Sequence, residues 1–435
     1  MTVAEVSLWG SRIAAVSIAD GAEYVTFQYA PEFARGGVQV APLHVPLRTQ
    51  PYRFPGLPHD AFAGLPGLLV DSLPDRWGTA LVNAWLAAQG RAQESFDVVQ
   101  RLCYVGTRGM GALEFQPAHE PVRSPSGDLH FDELVRLAGE VLSQRERFVT
   151  ELAEHPEEEA IKAILSIGTS AGGARPKAII AYNEATGQVR SGQVAVGEGF
   201  RHWLLKFDGV GGAGDHGLTD PKGWCAVEYA YSLMAREAGI QMSECRLLEE
   251  HGRRHFMTRR FDRRDDGSKL HMQTIGALEH VSYNEPGAYS YEQAFQLLRR
   301  LHLGAESSEQ LFRRMLFNVV ARNQDDHVKN IAFLMDRSGA WSLAPAYDLT
   351  WAWQPGNRWL ASHQMSINGK RDDFSVADLN VVAQVAGLSR RRAELILSDV
   401  NGAVVRWRAI AAEAKLDQPM TEQIARSHRL SLPLR

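Results

Sequence analysis

Cysteine is scarce. The chain has three in 435 residues, Cys103, Cys225 and Cys245, odd in number and far apart. That spacing excludes a disulfide frame and fits reduced thiols in a cytoplasm. Long apolar runs are also missing: no stretch approaches the roughly 20 residues that a membrane helix needs. Met1 to Gly10 has strand character and lacks the basic segment followed by an apolar one that marks an export signal. Net charge is small, −4 at pH 7, which excludes a chain that coats nucleic acid by bulk charge and leaves room only for a local basic patch. There is no internal repeat and no low-complexity tract. What remains is an ordinary mixture, 45% hydrophobic and 23% charged, long enough for two or three packed subdomains. The expectation is a cytoplasmic globular protein without a membrane association.

The front of the chain reads as strands. Val6 and Leu8, then Ile13 to Ile18, then Val25, Phe27 and Tyr29 form short apolar runs, with Asp20-Gly21 as a turn signal. Arg76 to Gln89 reads as a helix stopped by Gly90, and Phe131 to Leu142 as a stronger one with an i, i+3, i+4, i+7 apolar face. A glycine-rich loop, Gly168 to Lys177, then leads into the apolar strand Ala178 to Tyr182, a turn at Asn183 to Gln188, and a strand at Trp203 to Phe207. Downstream of Lys222 the pattern turns mostly helical. Ser307 with Gln310 has capping-box spacing ahead of Leu311, Met315 and Val319, and Ser389 to Ala414 reads as one helical tract. A β-rich front and a helical rear predict an α+β fold rather than a doubly wound sheet. The expected divisions are 1–149, 150–262 and 263–435.

Chemistry concentrates in Asn323-Gln-Asp-Asp-His-Val-Lys-Asn330 and Ala344-Pro-Ala-Tyr-Asp348. Phosphoryl transfer needs an acceptor for the attacking hydroxyl's proton and hard oxygen ligands for magnesium across the β and γ phosphates. Asp325 and Asn330, five residues apart, with Asp348 after a strand-like Trp341 to Ala344, have the spacing that protein kinases use. Lys329 adds charge for the transferring phosphate. The plain alternative is a polar loop with solvated acids. The loop Gly168-Thr-Ser-Ala-Gly-Gly-Ala-Arg-Pro-Lys177 offers backbone N–H groups to phosphates, with Lys177 as a cation, although it is no Walker A loop. Its alternative is a flexible hairpin connection. Lys206, ending an apolar strand, is placed to pair with phosphates, or else snorkels from the strand end. Glu228, after Trp224, orients Lys206 or lies on a solvated helix face.

Other motifs fit less well. Gly168-Thr-Ser-Ala-Gly172 matches the nucleophile elbow of α/β-hydrolases, but that serine needs a helix next, and Gly172, Gly173 and Pro176 precede a strand. Gly209-Val-Gly-Gly-Ala-Gly214 satisfies a dinucleotide fingerprint, yet Asp215-His-Gly217 and Pro221 continue the loop where a helix should open. His251 and His255 have the i, i+4 spacing of zinc ligands, but Gly252 interrupts a helix and no third ligand is evident.

Taken in order, glycine loop, strand lysine, base, amide and acid resemble the HipA family of toxin kinases over nearly the whole chain. The resemblance rests on Ser7-Leu-Trp-Gly10, Asp71-Ser-Leu-Pro-Asp-Arg-Trp-Gly78, Ser170 to Lys177, Arg260-Phe-Asp-Arg263, Asp325-Asp-His-Val-Lys-Asn330 and Pro345-Ala-Tyr-Asp348. It implies a bilobed protein-kinase-like fold and an ATP- and magnesium-dependent serine/threonine kinase acting on protein hydroxyls, aminoacyl-tRNA synthetases among the family's targets. Asp325 would be the base, and Asn330 and Asp348 the metal ligands. Gly172, Gly173, Ala174, Arg175, Pro176, Lys177 and Lys206 would hold phosphates. Arg259, Arg260 and Phe261 would stand at the adenine hinge, where family members can carry an acidic residue in place of Arg259. His327, Val328, Lys329 and Tyr347 would complete the nucleotide site. Ser170 falls at the family's autophosphorylated serine, and Asn368-Gly-Lys-Arg371 matches a basic loop that touches DNA, or is a solvated turn. The implied partners are a protein substrate and a small helix-turn-helix antitoxin, with DNA reached through that complex. A small-molecule kinase and an antitoxin-bound corepressor remain alternatives.

Overall fold

The computed structural model describes residues 1–118, 129, 134–139, 164–165, 168, 175–192, 197–210 and 222–434. Two compact units emerge. One comprises Met1–Trp224, Leu248–Gln273 and Met335–Gly339; the other comprises Cys225–Leu247, Thr274–Leu334 and Ala340–Arg435.

The first unit opens with four strands, β1 (Thr2–Leu8), β2 (Ser11–Ile18), β3 (Thr26–Tyr29) and β4 (Leu113–Gln116), in the order β3-β2-β1-β4. Ala4, Val6 and Leu8 are buried while Val3 and Glu5 are exposed, the alternation of a sheet with one wet face. Trp9 and Gly10 both take positive φ, 51° and 81°, the geometry of a two-residue turn whose twist matches its strands. The Trp9 indole also donates to the Lys269 carbonyl at 2.8 Å. Asp20-Gly21 turns as expected, with Ala22 N–H donating to the Ala19 carbonyl. The helix Val98–Val105 is opened by a complete capping box, Asp97 with Gln100, and packs on β1, β2 and β4.

A second sheet follows: β5 (Lys177–Asn183), β6 (Val189–Ser191), β7 (Phe200–Lys206), β8 (Cys245–Glu250) and β9 (Arg253–Arg259), in the order β6-β5-β7-β9-β8. The last two interrupt the mostly helical stretch expected beyond Lys222, and His255 lies buried on β9 rather than on a helix. Trp77, Leu81 and Ala84 of the helix Arg76–Ala88 join Leu134, Leu137, Ala178, Ile180, Trp203 and Leu205 in one core. Of the helix expected at Phe131 to Leu142, residues 134–139 are helical and the rest lie outside the described residues.

The second unit is built around the helix Ala305–Val320, in which every residue from Leu311 to Val320 is buried. It packs against the helices Tyr291–Arg300 and Arg390–Val405. Its start differs from the capping-box expectation at Ser307. Gly304 is the N-cap, and Gln310 instead accepts from Gln241 N–H and donates to the Gly239 carbonyl. The tract from Ser389 to Ala414 also divides, into Arg390–Val405 and Trp407–Glu413, with Ser389 capping the first. Tyr231, on the helix Trp224–Glu237, donates to the Ala321 carbonyl at 2.6 Å and meets the Trp407 ring edge-on. Among the described residues no helix is long and apolar enough to cross a membrane.

Candidate active site

In the second unit, the segment after Ala305–Val320 is pinned before it reaches its polar residues. Gln324 N–H donates to the Ala352 carbonyl at 2.9 Å. At the far side, Gly276 and Ile275 N–H donate to the carbonyls of Val328 and Ile331 at 3.1 and 2.9 Å. Asp325 is half-buried between these anchors. Asn330 Nδ2 donates to the Asp325 carbonyl at 2.8 Å, so the base candidate and the amide candidate share one rigid loop. That bond uses the amide nitrogen, leaving Asn330 Oδ1 as the end suited to a hard cation. Tyr347 Oη donates to the Lys329 carbonyl at 2.5 Å, which ties the chain beside Asp348 to the chain beside Asn330. Asp348 itself holds φ at +55°, an uncommon backbone for aspartate of the kind that clusters at functional sites.

Charged neighbours line the same loop. His327 Nδ1 accepts from Lys329 N–H at 3.2 Å, and its Nε2 stands 3.9 Å from Asp325 Oδ1. The Lys329 ammonium lies 4.5 Å from the centre of the Tyr283 ring, a cation–π contact that restrains its long stem. Val328 is buried and contributes packing.

The residue next to the candidate base carries no motif of its own. Asp326 is 3% exposed, and three donors converge on its carboxylate. Gln364 N–H reaches Oδ1 at 2.8 Å; Tyr291 Oη and His363 Nδ1 each reach Oδ2 at 2.9 Å. Burial alone would push this carboxyl up, but His363 and the donors outweigh it and hold Asp326 below the ordinary aspartate value. Tyr291 Oη accepts from Asn318 Nδ2 at 3.0 Å, and Asn318 Oδ1 accepts from Asn323 Nδ2 at 2.9 Å. The only visible signal was the doubled acid at 325 and 326, since His363 and Tyr291 lie far off in the chain.

The first unit carries the cationic candidates. Lys206 ends β7, is 7% exposed, and lies 5.8 Å from the Phe256 ring centre. Lys177 faces it across the β5–β7 ladder. Its ammonium is fully buried and paired with Asp75 Oδ2 at 2.9 Å. The charge expected to meet a phosphate is therefore already neutralised inside the protein. Asp75 also caps the helix Arg76–Ala88 through Gly78 N–H, and the Trp77 indole donates to the Lys177 carbonyl at 3.0 Å. Arg175 stands 5.8 Å from the Trp224 ring, and the Pro176 carbonyl accepts from Phe207 N–H. Ser170, Gly172, Gly173 and Ala174 lie outside the described residues.

At the expected hinge, Arg259 pairs with Asp265 near the surface, and Phe261 is half-buried. The Arg260 side chain departs from expectation. Its guanidinium is buried and grips Asp262 through Nε at 2.9 Å and Nη2 at 2.6 Å, and its backbone N–H donates to the His202 carbonyl at 3.0 Å. Arg263 grips the same carboxylate at 2.8 Å, and Gly111 N–H donates to it at 2.7 Å.

Glu228, in the second unit, is 1% exposed, so it does not sit on a solvated face. Asn368 and Gly369, with φ of 49° and 73°, make a tight turn. Lys370 is ion-paired with Asp378 at 2.8 Å, so the loop's charge is partly matched. Among the described residues no group of three or more His, Cys, Asp or Glu side chains is arranged for a metal. Asn330 with Asp348 is a smaller set, of the sort that magnesium uses together with phosphate and water.

Fold and loop together define a mixed α/β protein, sheets in the N-terminal part and helices behind, with an acid–amide loop stiffened from below. The HipA N-terminal domain family matches residues 4–116, and the HipA-like C-terminal domain family matches residues 169–408, more than half of the chain. The chain belongs to the HipA family. It is 29% identical over 125 residues to "Putative kinase Y4mE" of Sinorhizobium fredii, covering 27% of this chain and 30% of that protein. It is 26% identical over 218 residues to "Putative kinase Y4dM" of the same organism, covering 46% and 51%. The matches thus span about a third to a half of these curated relatives. Among solved structures, a chain from the Shewanella oneidensis MR-1 toxin–antitoxin system of HipA, HipB and its operator DNA superposes with a TM-score of 0.67. That match is 16% identical and covers 97% of this chain and 94% of the other, a likeness of fold.

Proposed function

We propose that the chain is an ATP- and magnesium-dependent serine/threonine protein kinase, the toxin of a HipA–HipB-like pair. The observation that carries this reading is the bond from Asn330 Nδ2 to the Asp325 carbonyl, which makes one rigid unit of a base and a metal-binding amide. Family membership and kinase-named relatives support it. Asp325 takes the proton of a protein hydroxyl as that oxygen bonds to the γ-phosphorus, the bond to the β-bridging oxygen breaks, and ADP leaves. Magnesium, when bound, neutralises phosphate charge, and Asn330 and Asp348 are the donors that fit it. Lys206, the Gly172 to Pro176 loop and Lys329 bind and orient the phosphates, while Lys177, paired with Asp75, holds the start of β5. The Arg259 to Phe261 backbone meets the base, and His327, Val328 and Tyr347 line the site. An aminoacyl-tRNA synthetase is the candidate target, and Ser170 is the autophosphorylation site. The partner is a small helix-turn-helix antitoxin, through which the chain reaches DNA in the cytoplasm. The HipB and operator DNA of the Shewanella complex support that pairing.

The test is transfer of labelled phosphate from ATP with magnesium in a host lysate, with the acceptor identified by mass. ATP with magnesium at about 100 times its dissociation constant should stabilise the protein by roughly 2.7 kcal/mol in thermal unfolding. No transfer and no stabilisation, together with stoichiometric labelling of Ser170 by a serine-directed phosphonate, would reverse the assignment in favour of a hydrolase.

A further inference from the structure

The polar network beneath the candidate base is larger than folding of one loop requires. Donors run from Asn323 to Asn318, from Asn318 to Tyr291, and from Tyr291 to Asp326, each step 2.9 to 3.0 Å. The circuit leaves the chain at residue 323 and rejoins it at residue 326, so it closes around Gln324 and Asp325. His363 and Gln364 then fasten Asp326 from a different segment. His363 is completely buried, and Asn318, Asn323 and Gln364 are nearly so. Keeping so many polar groups from water is costly unless each is paired, and replacing them with apolar groups of similar shape is often neutral or stabilising. A plain core would serve stability as well. Geometry at Asp325 is what such a network adds.

We propose that Asp326, Tyr291 and His363 are positioning residues for Asp325, a brace that sets the direction of its carboxylate. The proposal rests on the kinase reading of the same loop. None of the three touches substrate in this role. Asp326 gives the brace its charge, Tyr291 links it back to Asn323 through Asn318, and His363 holds it through an Nδ1 hydrogen. Displacing a reacting group by about 1 Å can cost roughly 10²-fold in rate. The brace therefore acts on kcat, while binding of nucleotide, made by other residues, is left nearly alone.

The experiment compares Tyr291→Phe, His363→Ala and His363→Asn with the parent, after circular dichroism and thermal melts have given the folded fraction of each. Phenylalanine keeps the ring and deletes the donor. Asparagine places an amide N–H near the lost Nδ1, whereas alanine supplies none. Expected per folded molecule is a kcat lowered roughly 10- to 100-fold in Tyr291→Phe and His363→Ala, with KM for ATP within about twofold and most of kcat regained in His363→Asn. Hydrogen exchange of the amides from 324 to 330 should quicken in the same two variants and not in His363→Asn, a readout that needs no catalysis. Unchanged kcat per folded molecule, equal loss in the alanine and asparagine variants, or unchanged exchange in the loop would overturn the brace. A parent protein that transfers no phosphate, yet shows the expected exchange pattern, would instead indict the kinase reading while leaving the mechanical tie in place.

Discussion

Asp325→Ala should lower phosphate transfer by roughly 10²–10⁴-fold, the usual contribution of a positioned base, while ATP with magnesium still binds. The reason is local. Asn330 bonds to the backbone carbonyl of residue 325, not to its side chain, so alanine leaves the amide where it was. The anchors to Ala352, Gly276 and Ile275 also involve only backbone at the loop. Asp348→Ala makes the useful contrast, because it removes a proposed metal ligand and should weaken magnesium-dependent nucleotide binding as well as turnover. Isothermal titration with a non-hydrolysable analogue separates the two. Transfer at the parental rate by Asp325→Ala would mean the base lies elsewhere.

The largest stability effect is expected at Asp262. One fully buried carboxylate answers two guanidiniums, Arg260 and Arg263, whose side chains are 1% and 7% exposed. Asp262→Ala leaves both charges buried without their partner, and breaking a buried pair in this way costs about 3–5 kcal/mol. Urea unfolding measures it, with Asp265→Ala as control, since Asp265 is 69% exposed where it meets Arg259 and such pairs contribute little. The pH dependence has a definite sign. Burial raises the Asp262 carboxyl, but Arg260, Arg263 and the Gly111 N–H prevail and hold it well below the usual carboxylate range. Its stabilisation is thus fully present above the unfolded value of about 3.9 and is lost as pH falls towards the lower folded value. The parent should lose stability on acidification more steeply than Asp262→Ala. Parallel curves would show that the cluster contributes no charge-dependent stability.

Local chemistry explains which parts were readable in advance. The alternation at Ala4, Val6 and Leu8 and the apolar face of the helix Arg76–Ala88 are properties of neighbours in sequence, so periodicity reports them. That Asp325, Asn330 and Lys329 stand together was legible because one short loop holds them. The start of the helix Ala305–Val320 was misjudged because Gln310 has a better offer from Gln241 and Gly239, which lie on another segment. The same blindness hid the fate of Lys177, whose partner Asp75 stood in a noticed motif without an assigned purpose. The Arg260 side chain turns to Asp262, two residues on, through a turn that no periodicity reports. Each miss is a long-range or turn-dependent pairing that no repeat of two or 3.6 residues encodes.

The Asp75–Lys177 pair bears on how this chain can be taken apart. Asp75 serves two ends at once: it caps a helix and cancels the charge at the start of β5, while the Trp77 indole, two residues on, grips the same strand's carbonyl. Across the ladder, Lys177 faces Lys206, so any fragment beginning after residue 78 would lose the carboxylate that pairs with Lys177 beside a second lysine. The helix that begins at Arg76 also supplies Trp77 and Leu81 to the core under that sheet. The early segment is therefore a permanent lodger in the second sheet rather than a detachable accessory. Shortened versions made for crystallisation or screening should keep it, and a family member that loses this aspartate should lose the facing lysine with it.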